Sequence, residues 1–178
     1  MVAGVPDQLW LVESFLNSVD VESDQDDLDS LARFRRWLRH HGQPAAAASA
    51  TGADLVLARE LRAGLREQLY AHGHGITPDW SAVDALAARV PLRTRFAGGE
   101  VGLAPAAAGV AGMLGEVLAS IALAGRDGTW RRLKLCRERT CQVVFYDRSK
   151  NASRCWCSMA VCGNRNKTRA YRSRLRDV

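Results

Sequence analysis

Apolar residues recur at helical spacing through most of the first 125 positions. Over residues 6–18, Leu9, Val12, Leu16 and Val19 share one helical phase and Leu11 and Phe15 widen the face, which predicts an opening amphipathic helix. The run 21–29 is acidic and polar. Asp26 or Asp27 at its end is placed to cap a second helix through Leu28, Leu31, Phe34, Trp37 and Leu38, stopped at Gly42 and Pro44. Residues 43–52, mostly Ala, predict a linker. From residue 53 to 72, Leu57, Leu61, Leu65 and Leu69, with Val56 and Tyr70, predict a long helix whose Arg59, Glu60, Arg62, Arg66 and Glu67 face water. His72 and His74 stand among glycines with no cysteine or carboxylate cluster nearby, so they mark the helix end.

A shorter helix after Pro78 turns Trp80, Val83, Leu86 and Ala87 inward. The period then changes to two. Leu92, Thr94 and Phe96 alternate with Arg93 and Arg95, Gly98-Gly99 supplies a turn, and residues 101–103 return, which predicts a hairpin packed on helices. Residues 105–124 are the most apolar stretch, but Glu116 sits near their middle and their length comes from Ala. A buried core helix, not a membrane span, is expected there. The turn 125–128 marks a boundary, after which Trp130, Leu133 and Leu135 alternate as a strand. The predicted class is α+β: a mostly helical N-terminal domain with a short β-hairpin over residues 1–125, and a small unit over 129–176 held by metal.

Charge separates the two parts. The chain of 178 residues has a net charge of +6, but residues 126–178 hold 15 Lys and Arg against 4 Asp and Glu, a balance of +11, leaving −5 for the rest. A basic module on a slightly acidic partner domain suits a polyanion. No leader of secretory type opens the sequence, so a cytoplasmic protein with reduced thiols is expected.

Four of the 5 cysteines form two matched pairs, Cys136/Cys141 and Cys157/Cys162, each with four residues between its members. Such spacing delivers four thiolates to one tetrahedral Zn2+, whereas two disulfides would need an oxidising compartment. Cys155 breaks the symmetric spacing and reads as a spare thiol. Four thiolates leave zinc no open position, and no Ser-His-Asp set, nucleotide loop or His-Glu pair is apparent, so no enzymatic activity is expected.

The tetrapeptide Cys162, Gly163, Asn164, Arg165, the block from Phe145 to Asn151, Trp156 to Met159 and the ending Tyr171 to Arg174 together resemble the CGNR-type zinc finger over about the last 45 residues. That family commonly couples the finger to an ABATE-like N-terminal domain, a stress-induced transcription regulator, which Glu13 to Ser18 and Trp37-Leu38 match weakly. The resemblance implies a DNA-binding regulator whose N-terminal domain senses a ligand or forms a homodimer.

The local pattern gives a compatible picture. After Ser158 a helix is expected over 159–174, with Cys157 and Cys162 bracketing its first turn, as in a treble-clef finger. Phe145 and Trp156 would form its small core. Arg165, Arg169, Arg172 and Arg176 then share a face, and Lys167 and Arg174 are expected to flank it. Asn164 and Asn166 are candidates for adenine, and Lys150 and Arg154 for further nucleic-acid contacts. An RNA-binding module, or a protein-interaction adaptor whose zinc is purely structural, remain the alternative readings; no membrane role is expected.

Overall fold

Thr51 and Asp54 open the longest helix, α4 (Gly52–His74), by a reciprocal cap in which the Thr51 hydroxyl accepts from the Asp54 N–H and the Asp54 carboxylate accepts from the Thr51 N–H. Gly75, at φ 69°, closes it in the left-handed region that glycine enters without strain. The computed structural model describes residues 5–176, so the first four positions of the expected N-terminal domain lie outside the described residues, as does the side chain of Arg176. Leu57, Leu61, Leu65 and Leu69 are buried as their spacing predicts. Val56 and Tyr70, expected inward, are exposed. Arg62 and Arg66, expected in water, turn in. Arg62 donates two bonds to Asp26, at 2.7 and 2.6 Å, and one to Ser18; Arg66 donates to the carbonyls of Leu16 and Gln142. Partners that satisfy a buried guanidinium decide the face here, and hydropathy does not report them.

Helix α1 (Asp7–Leu16) lies against α4 and buries Leu9, Val12, Phe15 and Leu16. A two-residue ladder, β1 (Val19–Asp20) with β2 (Gln25–Asp26), folds the acidic run back on itself. Asp26 is engaged by Arg62 and the Leu28 N–H, so it does not cap the next helix. Ser30 caps α2 (Leu31–His40) instead, accepting from the Arg33 N–H. The expected linker is also helix: α3 (Pro44–Ser49) starts on a proline whose fixed φ suits a first turn, and it buries Ala46 and Ala47 between α2 and α6 (Gly109–Asp127). Alanines that look like spacer in sequence are the small contacts that let three helices approach.

Helix α5 (Ser81–Ala87) buries Val83; Trp80 at its start is partly exposed, not inward as expected, and faces Trp130 at 6.2 Å. Strands β3 (Leu92–Ala97) and β4 (Glu100–Pro105) form the expected hairpin around Gly98 and Gly99, both at positive φ. The packing on α6 is made chiefly by β4, and Phe96 is 75% exposed. Helix α6 is long and apolar enough to cross a membrane, yet it packs against α1, α3 and β4 and buries Met113, Leu114 and Val117. Its Gly115 lets β4 close in, since a Cβ there would meet Pro105 at 3.0 Å.

After Gly128 and a single tight turn (Thr129–Arg132), which takes up Trp130, strands β5 (Leu133–Leu135) and β6 (Val144–Tyr146) pair antiparallel with Leu135 opposite Val144. Leu133, Leu135 and Val144 belong to the same core as α1 and α4. Asn17 fixes the junction: its side chain donates to the Val144 carbonyl and accepts from the Val144 N–H, both at 2.8 Å. The C-terminal unit is thus joined to the body by apolar burial and by the Asn17 hydrogen bonds. Helix α7 (Asn164–Arg176) ends the chain.

Candidate metal centre

Leu135 leads β5 straight into Cys136, whose N–H donates to the Val143 carbonyl, while Cys141 closes a turn on the Glu138 carbonyl at 3.0 Å. The second pair comes from the far arm. Cys157 precedes Ser158, whose hydroxyl accepts from the Val161 N–H, and Cys162 lies in the wide turn Met159–Gly163 before α7. The arms are tied by the Arg137 N–H, which donates to the Cys155 carbonyl at 3.0 Å. This is the expected treble-clef arrangement of knuckle, hairpin and helix, with Phe145 and Trp156 packed around the sulfurs.

The four sulfurs fit one tetrahedral zinc ion. All lie within 4.8 Å of one another, and Cys141–Cys157 and Cys157–Cys162 are 3.6 and 3.7 Å apart. Zn–S bonds near 2.3 Å set the tetrahedral edge at about 3.8 Å. Burial, reinforced by neighbouring sulfurs, pushes the Cys157 thiol far above its ordinary value, and burial raises Cys162 to about 11. Four clustered thiolates therefore need a cation to exist at neutral pH, and zinc supplies that charge. Cys155 stays outside the cluster, half-buried, its Sγ 3.7 Å from the Ser153 carbonyl.

Two carboxylates that the sequence reading passed over organise the surroundings. Asp147 is fully buried, accepting from Lys134 Nζ at 2.7 Å and from the N–H groups of Ser149 and Arg154. Burial alone would raise its carboxyl, but these donors outweigh burial and hold it far below the usual carboxylate range. Glu138, inside the first knuckle, is equally buried and takes Arg169 at 2.7 Å and the Asn166 amide. Its carboxyl is lowered, first by the Arg169 hydrogen bond. A signal was present in the sequence: Glu138 and Asp147 are the only acidic residues between positions 128 and 176. A lone acid amid many cations has a specific partner more often than a solvated face.

The expected nucleic-acid residues divide by role. Arg169 secures α7 to the knuckle through Glu138. Asn164 donates to the Ala160 carbonyl and Asn166 to the Cys162 carbonyl, so in this structure both amides serve the helix start. Arg154 folds back, donating to the Cys157 carbonyl at 2.7 Å with its guanidinium 5.4 Å from the Phe145 ring centre. Arg165 reaches Glu22 in the acidic β1–β2 turn at 2.7 Å. Arg172, Lys167 and Lys150 are exposed with no ion pair among the described residues. Arg174 donates to the Ala170 carbonyl. By helical periodicity Lys167 and Arg174 stand on the side of α7 opposite Arg165 and Arg172. Ala160, Asn164, Arg165, Thr168, Arg169 and Arg172 border an open groove of about 1020 Å3 along α7.

Comparison with known families gives two matches. The ABATE model, described as "Putative stress-induced transcription regulator", matches residues 10–132, and the CGNR zinc finger model matches residues 132–175. Comparison with curated proteins finds no match.

Proposed function

The chain belongs to the ABATE family and ends in a CGNR zinc finger, and on that premise we propose that it is a cytoplasmic, non-catalytic regulator of transcription whose finger binds duplex DNA through α7. One observation carries this reading. Beyond its first turn every described side chain of α7 is exposed, and the helix leaves a zinc-fixed knuckle, meeting the body through the Arg165–Glu22 ion pair. A helix that buries so little yet carries Arg165, Lys167, Arg172 and Arg174 is held ready for an anionic surface. Arg165 and Arg172 lie on one face, two turns apart, where guanidiniums can take successive phosphates or the edge of a guanine.

Zinc makes the mount rigid, and Arg169 with Glu138 sets the angle at which α7 departs. The phosphate-contacting set is therefore Arg165, Arg172, Lys167 and Lys150, with Arg169 and Arg154 as positioning residues. Four cysteines close the metal to substrate, which supports the absence of catalysis. The N-terminal domain is the natural seat of a small effector or of a homodimer contact.

The test is the salt dependence of duplex binding by the zinc-loaded protein. log Kobs is expected to fall linearly with log salt at about −0.9 per phosphate neutralised, and Arg165→Ala with Arg172→Ala to shallow the slope by about two contacts. Binding that is absent at low ionic strength, or a slope the double variant leaves unchanged, would refute the proposal. Tighter binding to an RNA hairpin than to duplex DNA would assign the same face to RNA.

A further inference from the structure

A second concentration of positive charge lies away from α7, at the seam between the body and the finger. There a cleft of about 520 Å3 opens between the C-terminal end of α4 and the finger segments 128–137 and 152–155. Arg131, Arg132, Lys134, Arg137 and Arg154 line it, and no Asp or Glu does. The charge of Lys134 is taken up by Asp147. The guanidiniums differ in kind: Arg132 donates to the carbonyls of Asp147 and Ser149, Arg137 to that of Gly73, and Arg154 to that of Cys157. Carbonyls fix position without cancelling charge. The Arg131 side chain has no hydrogen bond or ion pair among the described residues.

We propose that this cleft binds a small phosphoanion, a pyrophosphate or phosphate ester of two or more negative charges. Four guanidiniums share one concavity with no Asp or Glu in its lining, three of them already oriented by the backbone, so the ordering cost of binding is largely met before the ligand arrives. Planar guanidinium forks match phosphate oxygens in pairs. The volume is that of a small-molecule site. The zinc thiolate centre carries about two negative charges, which Arg137 and Arg154 in its own loops are placed to balance; Arg131 and Arg132 precede those loops and remain. An anion here touches Gly73 and His72 of α4 on one wall and the zinc loops on the other, so its occupancy is communicated to both units.

The experiment is calorimetric titration of the intact zinc-loaded protein with pyrophosphate at low ionic strength, beside Arg131→Ala and Arg131→Glu. Both variants should keep the melting temperature and zinc content of the parent, because the Arg131 side chain makes no hydrogen bond or ion pair among the described residues. Saturable one-site binding is expected, weakened about tenfold by R131A and lost in R131E, with duplex affinity unchanged in R131A. Arg172→Ala should show the reverse pattern. Pyrophosphate affinity that is equal in parent and R131E, or no saturable heat, overturns the proposal. So does a parallel loss of duplex and pyrophosphate binding in R131A, which would make the cleft part of the duplex surface. Failure of the parent to bind duplex while it still binds pyrophosphate removes the DNA reading and leaves the cleft standing.

Discussion

Asp147 shows how one side chain organises a segment that looks irregular in sequence. Its carboxylate gathers Lys134 and two backbone N–H groups, and through them the turn that returns the chain to Cys157. Asp147→Asn should destabilise the protein by about 3 kcal/mol in urea titration, because the buried ammonium of Lys134 loses its counter-charge. The pH dependence follows from the sign: a carboxyl held below its unfolded value contributes stability that is present above the ordinary carboxylate range and is lost as pH falls beneath it. Glu13 works in the opposite direction. It is buried in α1 with no hydrogen-bond partner among the described residues, and burial raises it to about 7. Its folded value exceeds its unfolded one, so its favourable contribution is complete below about pH 4.5 and declines as pH rises towards 7. Glu13→Gln should therefore stabilise the protein by on the order of 2 kcal/mol at pH 8 and leave it nearly unchanged at pH 4, measured as paired denaturant midpoints. The tetrapeptide Cys162 to Arg165 gains a residue-level account too: a metal ligand, a glycine whose Cβ would meet Met159 Sδ at 2.5 Å, an amide closing on Ala160, and an arginine that reaches Glu22.

Helix α7 is positioned by its first turn and displayed by the rest. Ser158, Asn164, Asn166 and Arg169 spend their hydrogen bonds fixing its origin, and Tyr171 and Leu175 remain exposed beyond it. The ion pair between Arg165 and Glu22 couples it to the acidic β1–β2 turn. That pair is exposed and worth little to stability, but it occupies a guanidinium that the DNA reading assigns to phosphate. Glu22→Ala should accordingly tighten duplex binding by about threefold, and a filter-binding or anisotropy titration in which it weakens binding would show that Arg165 is not a phosphate ligand. The basic residues were legible in the sequence, and so was the helix that carries them. Which cations were free was not, because Glu138 and Glu22 sit 31 and 143 positions away from the arginines they hold.

At the scale of the molecule, the finger and the body share one core. Asn17 pairs with the Val144 backbone, Arg66 bridges the carbonyls of Leu16 and Gln142, and Leu133 and Leu135 pack among the helices. Chelation of zinc should therefore release the arm from residue 150 onward while β5 and β6 stay protected, a split that amide exchange resolves; uniform exposure from residue 133 would contradict it. Asn17→Ala removes both bonds to Val144, should cost about 2 kcal/mol, and should raise exchange in β6 first. The longer helices, the hairpin, the zinc ligands and the charge division were written in the sequence, because periodicity, turn residues and cysteine spacing are local properties that a short window records. The inward turn of Arg62 and Arg66, the helix in the alanine run, the burial of Glu138 and Asp147 and the cation cleft at the seam were settled only in three dimensions, because each depends on a partner distant in the chain that compensates a charge, or leaves it uncompensated.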